Sequence, residues 1–208
     1  MKMSKSMNDD LAYVRSLAEA GADAPLLGGR FLVWWGGLVT AAYLGHYLIG
    51  SGMLGVGMEA LGIMWAGFIV IGLSGYFLLA KAFPHDKPGQ SSEGNRVSAT
   101  VWMAAGFVLG SFFFGVTVKS FLNGAASSGF TWSIPLVLGV YGIAQLVSGE
   151  IAKVGWLKLA GYVAIAFVGL TILIIDTAEL YLAAAFAAAC SVLIPGLLML
   201  RDEPSGVV

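Results

Sequence analysis

Six long apolar stretches separated by short polar connections dominate the sequence. Each stretch approaches the ~20 apolar residues that an α-helix needs to cross a bilayer. The predicted spans are Phe31 to Gly50, Ala60 to Ala80, Val97 to Val118, Phe130 to Gly149, Trp156 to Ile175 and Leu180 to Leu200. Because these spans use most of the chain, the pattern predicts an all-α, polytopic integral membrane protein with six transmembrane helices and no separate soluble domain.

The chain before the first span predicts a short amphipathic helix. The cap residues at its start are Asn8, Asp9 and Asp10. The apolar positions at helical spacing are Leu11, Val14, Leu17 and Ala18, and the helix stops at Gly21. We expect its apolar side to pack against the membrane face of its own bundle, the alternative being a docking site for a cytoplasmic partner. Residues 1–29 are therefore predicted as an N-terminal segment, 30–201 as the membrane domain and 202–208 as a tail.

Composition agrees with the span pattern. Hydrophobic residues make up 58% of the chain, charged residues 11%, and the mean hydropathy is +0.86, whereas an ordinary soluble domain has about 25% charged residues. Such a chain cannot cover itself with polar surface in water. The net charge of -1 leaves no excess of positive charge for phosphates, so we expect no nucleic-acid partner.

The basic residues lie almost entirely on one side of the predicted bundle. Successive connections between spans lie on opposite sides of the membrane. The termini and the connections on their side, together with the adjoining span ends, contain Lys2, Lys5, Arg15, Arg30, Lys81, Lys87, Arg96, Lys153, Lys158 and Arg201. Only Lys119 falls on the other side. By the positive-inside rule, both termini are predicted in the cytoplasm. Because the chain is compact, we expect the membrane to be a bacterial inner membrane.

Tryptophan positions support the same orientation, because indole rings prefer the membrane interface. Trp34, Trp35, Trp102 and Trp156 lie near predicted cytoplasmic ends, and Trp65 and Trp132 near outer ends. The longest polar connection, from Phe83 to Arg96, is predicted as a flexible cytoplasmic loop. The connection from Asn123 to Gly129 is predicted outside.

Small residues recur at helical spacing on two spans. Gly37, Ala41 and Gly45 stand four apart on the first, and Gly106 and Gly110 on the third. In lipid, such positions let helix backbones approach closely. We expect them to pack helices within one bundle, with a homo-oligomer seam as the alternative.

His46 is the only ionisable group well inside a predicted span. It lies ~22 Å from the cytoplasmic start of its helix at 1.5 Å per residue, hence in the outer half of the bilayer. Glu59, Asp176 and Glu179 are predicted at the outer ends of other spans, so we expect His46 to lie near at least one of them. Such a group can sense or relay protons; the structural alternative is a hydrogen bond to a neighbouring tyrosine or carbonyl.

The fourth span contains the most polar intramembrane stripe. Tyr141, Gln145, Ser148 and Glu150 lie on it at helical spacing. This stripe either lines a hydrated path or bridges neighbouring helices, and bridging is the more frequent role of such residues.

Several chemistries are excluded by position. The stretch Gly72-Leu73-Ser74-Gly75 resembles the GxSG motif of rhomboid intramembrane proteases, but Ser74 and His46 differ in predicted depth by ~13 Å, too far for a nucleophile and its base. His46 and His85 lie on opposite sides, so they cannot both ligate one haem. No HxxH or CxxC spacing suggests a metal site, and the lone Cys190 is expected to be a buried apolar residue.

We therefore expect no enzyme site, no metal and no cofactor. The sequence predicts a small membrane protein whose partner besides the lipid bilayer is another protein or a second copy of itself, most simply an accessory or regulatory subunit. The alternative is a small-solute transporter or channel that uses the fourth-span stripe and the outer cluster around His46.

Overall fold

The computed structural model describes residues 10, 24–83, 87 and 89–203, and this part of the chain is all-helical. Within this part of the chain, six helices are long and apolar enough to cross a membrane, which agrees with the six predicted spans and suggests a multi-pass membrane protein. The first five are α1 (Gly29–Gly50), α2 (Ala60–Ala82), α3 (Glu93–Asn123), α4 (Gly129–Ile151) and α5 (Gly155–Leu173). The sixth consists of α6 (Glu179–Ala188), a π-helical turn (Ala189–Leu193) and α7 (Ile194–Asp202).

The observed helices begin and end within a few residues of the predicted spans, except for α3. That helix has 31 residues, about 46 Å at 1.5 Å per residue. It begins after Ser92, whose hydroxyl accepts a hydrogen bond from the Asn95 amide, and ends at Gly124 in the left-handed conformation (φ 63°). The connection predicted to run from Phe83 to Arg96 is therefore helical from Glu93 onward. The predicted N-terminal helix lies outside the described residues, apart from Asp10.

The core forms where four spans approach closely. α4 and α5 form an antiparallel pair in which a Cβ added at Gly142 would lie 3.1 Å from the carbonyl oxygen of Gly161. The first span packs against the sixth at Gly36, where an added Cβ would lie 2.6 Å from the backbone nitrogen of Leu193. In the fourth span, half of the most apolar 18-residue stretch is buried inside the bundle, and the same holds for the sixth span.

The second and third spans lie at the periphery. Among the described helices, the backbone of α2 approaches closely only that of α1, and the backbone of α3 only that of α4. Both expose large apolar side chains, among them Phe77 (66% exposed) on α2 and Phe114 (73% exposed) on α3. In a bilayer these side chains face lipid or another membrane protein.

Candidate functional site

The π-helical turn of the sixth span has a local cause in the sequence. The Ile194 amide donates to the carbonyl oxygen of Ala189, five residues back. Pro195 follows directly and has no N–H group, so it cannot donate to the carbonyl of Ser191, four residues earlier, as an α-helix requires. The proline therefore leaves a main-chain acceptor in the middle of a membrane-spanning helix.

Gln145 supplies the missing donor from the fourth span. Its Nε2 donates a 2.6 Å hydrogen bond to the Ser191 carbonyl oxygen, and the side chains of both residues are completely buried. Three buried side-chain oxygens on the fourth, sixth and first spans have no hydrogen-bond partner in the part of the chain that the structure describes: Gln145 Oε1, Ser191 Oγ and Thr40 Oγ1. Unpaired buried polar atoms are rare and mark sites that ordered water or a polar ligand can satisfy.

The remaining stripe residues connect the fourth span to the third. Ser148 Oγ lies 2.9 Å from Ser98 Oγ, and the Tyr141 and Trp102 rings lie 5.9 Å apart. Only Glu150 is exposed, and Lys158 donates to its carboxylate at 3.0 Å. Thus the stripe links the fourth span to the third, the fifth and the sixth, and its middle is closed to solvent.

A second cluster, made of His46, Trp65, Tyr43 and Tyr181, lies where α1, α2 and α6 meet. The His46 ring stacks on Tyr181 with centroids 3.4 Å apart and an interplanar angle of 13°. Trp65 Nε1 donates to His46 Nδ1 at 3.1 Å, and Tyr43 packs edge-on against Trp65. Because Nδ1 accepts this bond, it holds no proton, and the neutral ring has its proton on Nε2.

The expected carboxylate neighbours do not contact His46. Glu59, Asp176 and Glu179 are all exposed. Of the hydrogen bonds and ion pairs that His46 makes with described residues, none involves a carboxylate. The Glu59 carboxylate instead folds back over Gly57. The structure thus gives His46 aromatic partners, which leaves the three acids as separate groups at the helix ends.

A charge cluster that we did not predict lies at the opposite end of the bundle. Arg30 Nη2 donates to Glu203 Oε1 at 3.1 Å, and Lys87 Nζ donates to the same oxygen. The Arg30 guanidinium also stacks over the Phe83 ring at 4.4 Å. The Glu203 side chain is only 4% exposed. The sequence signal for this cluster was an acidic residue directly after the sixth span, on the basic side.

Asn95 joins three segments beside that cluster. Its Oδ1 accepts a hydrogen bond from the Leu27 amide at 2.8 Å, and its Nδ2 donates to the carbonyl oxygens of Pro25 and Gly89, both at 2.9 Å. The chain before α1, the connection after α2 and the start of α3 are therefore joined by one side chain.

The predicted packing residues have different surroundings. A Cβ at Gly45 would lie 3.0 Å from Met64 Sδ of α2, and one at Gly37 would make ordinary contact with Leu193. Ala41 is exposed. Gly106 and Gly110 face open space, since an added Cβ would meet no atom of the described chain within 4 Å.

No protein-family model matches this sequence, and no curated protein and no solved structure is significantly similar to it. Its function is therefore inferred from the residues described above.

Proposed function

We propose that this protein is an accessory or regulatory subunit that binds a transmembrane helix of another membrane protein through α3. One observation carries the proposal: Gly106 and Gly110 face open space on a span whose backbone approaches closely only that of α4 among the described helices. The partner helix covers this glycine face. Phe114 borders it and is 73% exposed.

The energetics of helices in lipid support this use. Apolar side chains gain nothing by leaving the acyl phase, so helices associate through close packing at small residues. A glycine inside a helix costs roughly 0.5–1 kcal/mol relative to alanine. Within the described part of the chain, an added Cβ at Gly106 or Gly110 meets no atom, so no close packing there offsets that cost. A bound helix that approaches the glycine face provides the offsetting contact.

Site-specific photocrosslinking in native membranes tests the proposal. Benzoylphenylalanine replaces Phe114 beside the glycine face, or Phe77 on α2 as a matched control with similar exposure (73% and 66%). We expect a discrete adduct of defined mass from position 114 and none from position 77. Adding Gly110→Leu, which fills the face, should remove the adduct.

Each outcome is informative. A diffuse smear or no adduct from position 114, or equal adducts from both positions, would overturn the proposal. An adduct with twice the mass of the chain, formed also by the purified protein, would show that the face binds a second copy and would replace the subunit proposal with a homo-oligomer.

A second candidate function is small-solute transport through the bundle centre. The observation that favours it is the pair of buried oxygens Gln145 Oε1 and Ser191 Oγ, which have no hydrogen-bond partner among the described residues and belong to side chains at the π-helical turn and bonded to it. Such turns occur frequently at functional sites. Because these groups are uncharged, the solute would be small, neutral and polar.

Flux measurements on reconstituted vesicles test this alternative. If the protein transports solutes, Gln145→Leu should abolish osmotic swelling with urea or glycerol while the amount of folded protein stays nearly unchanged. Swelling with wild type that does not exceed that of protein-free vesicles would exclude these solutes. Thermal stability measured on the same preparations separates lost transport from lost folding.

We further propose that the protein lies in a bacterial inner membrane with both termini in the cytoplasm. The one-sided distribution of lysine and arginine supports this orientation.

A further inference from the structure

An open groove runs down one side of the bundle from the end that contains the charge cluster. Its volume is about 470 Å³, and it lies between α1 (residues from Arg30 to Ala41), Leu79 of α2 and Leu200 of α7. Apart from Arg30, the lining is apolar. One wall is held in place because Trp34 Nε1 donates to the Gly72 carbonyl oxygen at 3.0 Å.

The depth of the groove matches one leaflet. Arg30 and Ala41 are separated by about 16 Å along α1 at 1.5 Å per residue, roughly half of the ~30 Å hydrocarbon thickness of a bilayer. A bound transmembrane helix would need a surface that crosses both leaflets. A single acyl chain needs only this length, with its headgroup level with Arg30.

The charge at the mouth favours an anion. Arg30 and Lys87 share one carboxylate, that of Glu203, so the cluster carries one excess positive charge. Among the described residues, the Arg30 guanidinium bonds Glu203 through Nη2 only, and its Nε has no hydrogen-bond partner there. Its side chain is 24% exposed. A guanidinium has five N–H donors and pairs well with phosphate.

We propose that this groove binds one anionic phospholipid, with an acyl chain along α1 from Val33 to Ala41 and the phosphate beside Arg30. This inference concerns a different surface from the glycine face of α3, so it stands or fails separately from the proposed function.

Native mass spectrometry of the purified protein tests the inference by counting bound lipids after addition of phosphatidylglycerol or phosphatidylcholine. We expect one retained lipid, with an approximately fivefold preference for phosphatidylglycerol, the effect of about one additional positive charge near the membrane surface. Equal retention of the two lipids would overturn the proposal.

Two sets of variants separate the acyl and headgroup contributions. Ala41→Phe fills the groove without touching a charge and should abolish retention, whereas Ala104→Phe, at an exposed alanine of α3, should retain lipid like wild type. Equal retention by these two variants would show that the lipid binds elsewhere. Arg30→Gln removes the guanidinium and leaves Lys87 paired with Glu203, so the cluster loses its excess positive charge. This variant should still retain one lipid but lose the fivefold preference, and a preference that persists would contradict the headgroup assignment.

Discussion

The side-chain amide of Gln145 donates a 2.6 Å hydrogen bond to the main-chain carbonyl oxygen of Ser191. A polar side chain of the fourth span thus satisfies an acceptor that Pro195 leaves open in the sixth. In a membrane interior no water competes for that carbonyl, so the backbone defect and the glutamine form a pair. The relationship explains why a completely buried glutamine lies at the centre of an otherwise apolar bundle.

Gln145→Leu should lower the free energy of unfolding by about 0.6–2 kcal/mol, the range for an intramembrane hydrogen bond. Pro195→Ala restores an N–H group four residues after Ser191, so the Gln145→Leu substitution should cost less in that background. Thermal unfolding of the wild type, both single variants and the double variant measures the coupling energy. Strictly additive effects would mean that Gln145 does not compensate for the proline.

Gly36→Leu should destabilise the protein by roughly 1–3 kcal/mol, the usual cost of overpacking. A Cβ at this position would lie 2.6 Å from the Leu193 backbone nitrogen, and a backbone atom cannot move aside as a flexible side chain does. Gly106→Leu is the matched control, since an added Cβ there meets open space. Unfolding in detergent should show a loss for the first variant and a change within about 0.5 kcal/mol for the second. Similar losses would contradict the packing of the first span on the sixth.

His46 should show a single neutral tautomer in which Nδ1 has no proton, because that atom accepts the hydrogen bond of Trp65 Nε1. Nitrogen-15 NMR of the labelled imidazoles distinguishes the two nitrogens directly. His85 is the only other histidine of the chain and serves as an internal reference. Trp65→Phe should remove the tautomer preference of His46 and leave the His85 signal unchanged. A protonated Nδ1 in the wild type would show that the Trp65 bond is absent.

Cysteine labels should distinguish the two sides of the membrane. In a Cys190→Ser background, a cysteine at Ser91 should react with a reagent that reaches only the cytoplasmic face. One at Ala126 should react only from outside, as the one-sided basic residues require. Membrane vesicles of both orientations and an impermeant maleimide provide the measurement. Outer labelling at Ser91 would reverse the proposed orientation.

Much of the helical layout could be predicted because it depends on local properties of the chain. The length of each apolar stretch determined the number of spans, and the polar connections located their ends to within a few residues, as at α2 and α4. The third span was underestimated because Ser92 caps a helix whose first turn is polar. Hydropathy measures the part of a helix inside lipid and does not detect a helical turn beyond it.

The candidate sites could be predicted only in part. Gln145 stood out because an amide in an apolar span needs a partner, yet the partner proved to be a backbone atom of another span. His46 also stood out, but its neighbours are aromatic rings on α2 and α6. Those partners lie in other helices, so no spacing along the chain identifies them.

What the sequence by itself determined is the set of six apolar helices, their polar connections and the one-sided distribution of basic residues. These features follow from the chemistry of each segment and do not depend on its neighbours. The tertiary structure decided which faces of the helices meet: Gly36 opposes the sixth span, while Gly106 and Gly110 oppose no described residue. It also decided that Glu203 meets Arg30 across the length of the chain. In lipid every span is apolar all round, so hydrophobicity does not select a buried face, and close steric fit and a few hydrogen bonds select it instead.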